Sequence, residues 1–410
     1  MTAIQVIGFI GILLIVGFLA DYLFRKTRFP DILILIALGY LIGPVFHIIN
    51  PSDIAPASQI IASLALVVIL FNGGLDLEFA KVLSSAPRAL ILVFAGIILS
   101  IASTAAFAHY VMGWELMNSF LLGAIVGGTS PSIVMPLISR IKIPEEVSAM
   151  LSLESAFNGA LVIVVALVIL EVIITGQTGN AALVVVEKIT LQIFLGGLIG
   201  VIVGVVWLWV LTLLEGETYD DILTLALAFL LYFVVESMGG SGVIFVLTFG
   251  LMLGNGMQVA KFLGIKRTVI IHELMKKFHS QMSFLIKTFF FVYLGLMIAF
   301  TQNSLILAGV AISLVLLLIR YIAVLLTSIR SNVLLENKGL LTTMLPRGLS
   351  AAVVAEIVVA SGIPDAAIYP DLIMVVIVTT VVIAAISLPI FTRPRTKLQE
   401  SKKPRAKLVS

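Results

Sequence analysis

Two short stretches of the chain put helix-breaking residues next to side-chain oxygens: Gly127-Gly128-Thr129-Ser130-Pro131-Ser132 and Leu345-Pro346-Arg347-Gly348-Leu349-Ser350. Proline removes a backbone donor and clashes with the preceding turn, and glycine lets the chain leave helical geometry. A third stretch, Ser152-Leu153-Glu154-Ser155-Ala156-Phe157-Asn158-Gly159, keeps helical spacing and sets Glu154, Ser155 and Asn158 on one face. Thr129, Ser130, Ser132, Ser155 and Asn158 offer hard oxygen donors suited to a dehydrated Na⁺ or K⁺. The chain has no Cys, and none of its four His is expected mid-span. No Asp or His cluster suggests a transition metal, and no His-Glu-x-x-His or Gly-x-Ser-x-Gly motif suggests an enzyme. No cofactor is expected.

Six ionisable residues fall inside apolar stretches: Glu154, Glu236, Lys287, Arg320, Arg347 and Glu356. A charge at mid-bilayer is costly and is a functional candidate by default. Glu154 and Arg347 are expected to pair, which neutralises both and ties two segments together. The pair reads as a strut rather than as a direct ion ligand. Lys287 either reaches to the interface or points inward. Arg320, late in its stretch, is expected to reach for the interface, and Glu236 to cap a helix or lie at the interface.

The elements that carry these residues are membrane spans. Of 410 residues, 60% are hydrophobic and 11% charged, against about 25% charged in soluble domains. A span needs about 20 apolar residues, and on that ruler the chain divides into 13. With the N-terminus outside, 21 of the 25 Lys and Arg fall in cytoplasmic segments and the external loops hold none, the asymmetry expected of a cytoplasmic C-terminus. The basic tail 393–410 reads as an anchor on anionic lipid, not as a nucleic-acid site. Segment 257–280, with basic residues among helically spaced apolar ones, is either a surface helix or a linker. The two Gly/Pro breaks fall in the fifth and twelfth spans. Taking residues 1–176 and 218–392 as repeats, with 182–214 as a linker helix, each break is fifth in its half. An odd number of spans separates them, so the repeats are inverted, a pattern that points to a transporter's binding site.

At this point the sequence resembles the cation:proton antiporters of the NhaP and Na⁺/H⁺ exchanger type. GGTSPS, LESAFNG, FLIKTFFFVYLGL, MLPRGLSAAVVAE and LFNGGLDLEF carry the resemblance, which covers essentially the whole chain. It implies an all-α membrane fold of 13 helices with discontinuous helices in inverted repeats, as in NhaA. It also implies a homodimer, and a six-helix core that moves like an elevator and exchanges Na⁺ or K⁺ for H⁺ across the cell membrane. By position Thr129 and Ser155 look like ligands, Asn158 looks like the first residue of an Asn-Asp pair, and Glu154 and Arg347 look like its stabilising ion pair. One departure stands out. The family pattern places aspartate after Asn158, where this chain has Gly159, so the carboxylate at which cation and proton compete is missing. Impaired antiport is the resulting expectation; an uncoupled channel or a non-transporting sensor on the same fold are the alternatives.

Overall fold

A computed structural model describes residues 3–27, 30–49, 51–139, 141–176, 181–214, 217, 219–262, 273–298 and 302–391. The tail 393–410 and the middle of the 257–280 segment lie outside these.

The described residues are helical, with no strand among them. The first half holds α1 (Ala3–Thr27), α2 (Asp31–Tyr40), which runs into a π turn over Leu41–Val45, α3 (Pro51–Leu75), α4 (Phe79–Tyr110), α5 (Leu116–Ile125), α6 (Pro131–Ile138) and α7 (Glu145–Thr175). Then come α8 (Ala181–Leu213), α9 (Asp220–Ser237), α10 (Gly242–Gly254), α11 (Gly256–Phe262), α12 (Glu273–Met297), α13 (Asn303–Thr327), α14 (Asn332–Glu336), α15 (Lys338–Thr343), α16 (Leu349–Ser361) and α17 (Ile368–Phe391). Seven helices among the described residues are long and apolar enough to cross a membrane, or eight if α10 and α11, bent by 78°, form one span.

Helix ends follow local chemistry. α7 opens on Glu145 and Glu146, favourable at the positive end of the helix dipole, and stops at Gly176 in the left-handed region at φ 68°. The Gly242 N–H at the start of α10 donates to Glu236 Oε1 at 2.7 Å, so Glu236 caps that helix, as expected. α12 begins earlier than the hydropathy suggests, so His279 lies within it, fully buried, against Phe71.

The helices sort into two bundles. α2, α3, α8, α10 and α12 pack mainly on one another, and α4, α5, α7, α13, α16 and α17 do the same. We call these the scaffold and the core. In the scaffold the backbones nearly touch. A Cβ on Gly250 would lie 2.4 Å from the Phe71 carbonyl, and one on Gly295 2.2 Å from that of Ile36. The bundles meet chiefly where α16 lies on α3 and α7 on α8.

Candidate ion site at a crossing of broken helices

The expected breaks are present. α5 ends at Ile125 and α6 resumes at Pro131, while α15 ends at Thr343 and α16 resumes at Leu349. Proline at the first position of α6 costs nothing, because that N–H has no helical partner anyway. The two unwound stretches cross, and the Ser130 N–H donates to the Pro346 carbonyl at 2.9 Å. Glycine is required at the contact, since a Cβ on Gly348 would lie 2.6 Å from Ser130 Oγ. Backbone freed in an apolar interior must find partners. Here the Arg347 N–H donates to Thr380 Oγ1 at 3.0 Å, and Arg347 Nη1 donates to the Gly127 carbonyl at 3.0 Å. That places a cation on the negative C-terminal end of α5.

Beside the crossing, α7 presents Glu154, 0% exposed. Its Oε1 accepts from Asn158 Nδ2 at 2.7 Å and from Thr129 Oγ1 at 3.1 Å. Arg320 of α13 grips the same carboxylate in a two-point fork, with Nη1 on Oε1 and Nη2 on Oε2, both at 2.8 Å. Arg320 Nε donates to the Leu341 carbonyl at 2.8 Å. This corrects two expectations. Arg320 does not reach for the interface, and the partner of Glu154 is Arg320, not Arg347. The planar fork of arginine matches a carboxylate at two points, and Arg347 is already committed to Gly127.

Lys287 reaches a span end: its Nζ lies 2.6 Å from Asp31 Oδ2 at the start of α2. Sequence reasoning passed over Asp31, which sits at a span end where a carboxylate usually reaches water. Glu356 is buried on α16 and accepts from Tyr293 of α12 at 3.3 Å, joining core to scaffold.

Thr129, Ser130, Ser155 and Asn158 are all buried around the crossing. Asn158 Oδ1 is buried and has no hydrogen-bond partner. Gly159 lies at the same point: a Cβ there would meet Pro131 Cδ and Ser350 Oγ, both at 3.3 Å. Any side chain at 159 would therefore enter the junction of the two broken helices. The ionisable groups at the crossing, among the described residues, are one carboxylate (Glu154) and two guanidiniums (Arg320 and Arg347). Their formal sum is one positive charge.

The sequence profile described as "Sodium/hydrogen exchanger, transmembrane" matches residues 10–393. The chain belongs to this exchanger family. Among its relatives, the Na⁺/H⁺ antiporter 1 of Methanocaldococcus jannaschii is 27% identical over 309 residues, 72% of this chain and 69% of the relative. The K⁺/H⁺ antiporter NhaP of Alkalimonas amylolytica is 24% identical over 385 residues, 91% of this chain and 64% of the relative. The exchanger fold agrees with the solved structure of the sodium proton antiporter MjNhaP1 from M. jannaschii at pH 8. Its TM-score is 0.78 at 24% identity, covering 95% of this chain and 96% of that one.

Three cavities are lined by described residues. On the face where α1 ends and α12 begins, which carries most of the described basic residues, one of about 520 Å³ runs between α1, α3, α6 and α12. Another, of about 430 Å³, lies between the turn after α3, α6 and the start of α7. Toward the opposite face, a third cavity beside Glu356 and Asp371 is about 10 Å³, room for about one water.

Proposed function

We propose that this chain exchanges Na⁺ or K⁺ for H⁺ across the cell membrane, its core moving past the scaffold in an elevator motion. The observation that carries the reading is the Ser130–Pro346 contact, where two broken helices meet with Asn158 Oδ1 left open. Thr129, Ser130, Ser155 and Asn158 would hold the cation. Glu154 with Arg320 would brace the core, and Arg347 would hold the break of α5. The names of the antiporter relatives support the exchanged ions. In this reading the chain crosses the lipid 13 times as inverted repeats, N-terminus outside and C-terminus in the cytoplasm, and pairs into a homodimer. The large cavities on the basic face then mark an inward-facing state.

Gly159 impairs this exchange. The crossing is positive when empty, and a cation about 8 Å from an uncompensated unit charge meets roughly 2 kcal/mol of repulsion at an effective dielectric of 20. The same repulsion argues against an uncoupled cation leak. An aspartate at 159 would bring the crossing to neutrality, and its proton would compete with the cation. The test is Na⁺- and K⁺-driven dequenching of a pH dye in proteoliposomes. Exchange should be slow in the native chain and fast in Gly159→Asp. Equal rates, or fast native exchange abolished by Glu154→Gln, would overturn the assignment.

A further inference from the structure

Asp76, in the turn after α3, is the one charged residue, among the described residues, that lines both of the two cavities of the basic face. Its turn is clamped to the scaffold by Asn255, between α10 and α11. Asn255 Nδ2 donates to the Leu77 carbonyl at 2.6 Å, and its Oδ1 accepts from the Phe79 N–H at 2.7 Å. Asn72 Nδ2 lies 3.4 Å from Asp76 Oδ2. Across the larger cavity, Pro131 and Ser132 start α6 immediately after the crossing, and α6 packs mainly on α7 of the core. Ser132 Oγ is 3.0 Å from Ser130 Oγ, so the cavity wall continues into the crossing itself.

The other charges that face this space are largely committed. Arg25 pairs with Asp21 on α1, and Lys287 with Asp31. Nearby but outside both linings, Glu146 at the start of α7 pairs with Arg88 of α4. Glu78 and Glu145 line only the smaller cavity. Lys276 of α12 acts on Asp76 from the scaffold side. Burial holds the Asp76 carboxyl above the usual carboxylate range, and Lys276 pulls it back in part. A cation in either of these cavities has this carboxylate in its wall.

We propose that Asp76 is the cation-loading residue of the inward-facing state, where its carboxylate and the Ser132 hydroxyl hold a monovalent cation at the entrance to the crossing in competition with a proton. The inference rests on the exchange reading for its purpose, but its test is independent of transport. Loading breaks the carboxyl O–H bond, the proton passes to water in the cavity, and the cation takes its place with no net change of charge. Because Asp76 stays with the scaffold while Ser132 moves with the core, the pair forms on one side of the cycle only. Asp76 thereby makes cytoplasmic cation affinity fall in acid. It does not itself carry the proton across.

The test is the cation-dependent rise in melting temperature of the full chain in detergent, with NaCl or KCl against choline chloride at equal ionic strength, from acid to alkaline pH. The native chain should show a rise at alkaline pH. The half-maximal cation concentration should grow about tenfold for each pH unit below the carboxyl's pKa. Asp76→Asn should lose the rise, Asp76→Glu should keep it with a displaced pH midpoint, and Glu78→Gln should match the native chain. No rise in the native chain, or the same rise in Asp76→Asn, would overturn the proposal. Exchange by Gly159→Asp separates the two readings. Exchange with no effect of Asp76 on cation binding sinks only the loading residue. Asp76-dependent binding without exchange in Gly159→Asp sinks the transport reading and leaves the loading residue standing.

Discussion

Arg320 and Arg347 are both buried guanidiniums within reach of the same crossing, yet they hold different groups. Arg320→Met would leave the Glu154 carboxylate without its cation. Breaking one side of a buried pair costs about 3–5 kcal/mol. Arg347→Met would strand the Gly127 carbonyl, a loss of about 1–3 kcal/mol, and would also relieve the excess positive charge. The melting temperature in detergent should therefore fall much further for Arg320→Met; equal losses would count against the assignment. Asp76 gives a pH-dependent prediction of opposite sign. Its carboxyl is raised by burial, so the folded chain binds this proton more tightly than the unfolded chain does. Its contribution to stability falls as pH rises through the folded pKa. Asp76→Asn should therefore melt higher than the native chain in cation-free buffer at alkaline pH and level with it in acid. The sequence made Glu154 and Gly159 legible because an intramembrane charge and a missing charge both stand out. It misplaced Arg320 because position along a span gives depth but not azimuth. Only the packed structure shows that the arginine of α13 faces α7.

At the scale of elements, the two breaks could be read directly, because proline and glycine act locally. That they touch could not, since the contact joins residues more than 200 positions apart in the chain. It depends on the absence of one Cβ. Gly348→Ala should push Ser130 away and destabilise the chain by about 1–3 kcal/mol, as overpacking does. Gly96→Ala in α4, where a Cβ would meet nothing within 4 Å, should be neutral or stabilising by up to about 1 kcal/mol. Thermal melts of the two variants check this; equal behaviour would mean that the crossing tolerates slack. The start of α12 was read late because Lys276, Lys277 and His279 dilute its apolar signal, although His279 is buried against aromatic rings.

For the whole molecule, the division into scaffold and core was out of reach of hydropathy, which counts spans but does not pair them. The unequal cavities make the division testable. The native chain has no cysteine, so single thiols report cleanly. A thiol from Ser148→Cys, in the cavity of the basic face, should react with a membrane-impermeant maleimide from that side. A thiol from Ala355→Cys, beside the small cavity toward the other face, should stay protected from the opposite side. The reverse pattern would contradict the proposed inward-facing state. The uncompensated charge of the crossing extends this expectation to a living cell. Glu154, Arg320 and Arg347 all belong to the bundle proposed to move, so with Glu356 of α16 protonated the empty carrier would take one positive charge with it through part of the membrane field. Each elementary charge crossing the full field is worth about 2.3 kcal/mol per 100 mV. An interior-negative voltage would therefore draw the empty core toward the cytoplasm and hold it there, so that the resting cell itself biases the exchanger to face inward. Depolarisation should release that hold, and an aspartate at position 159 should abolish it.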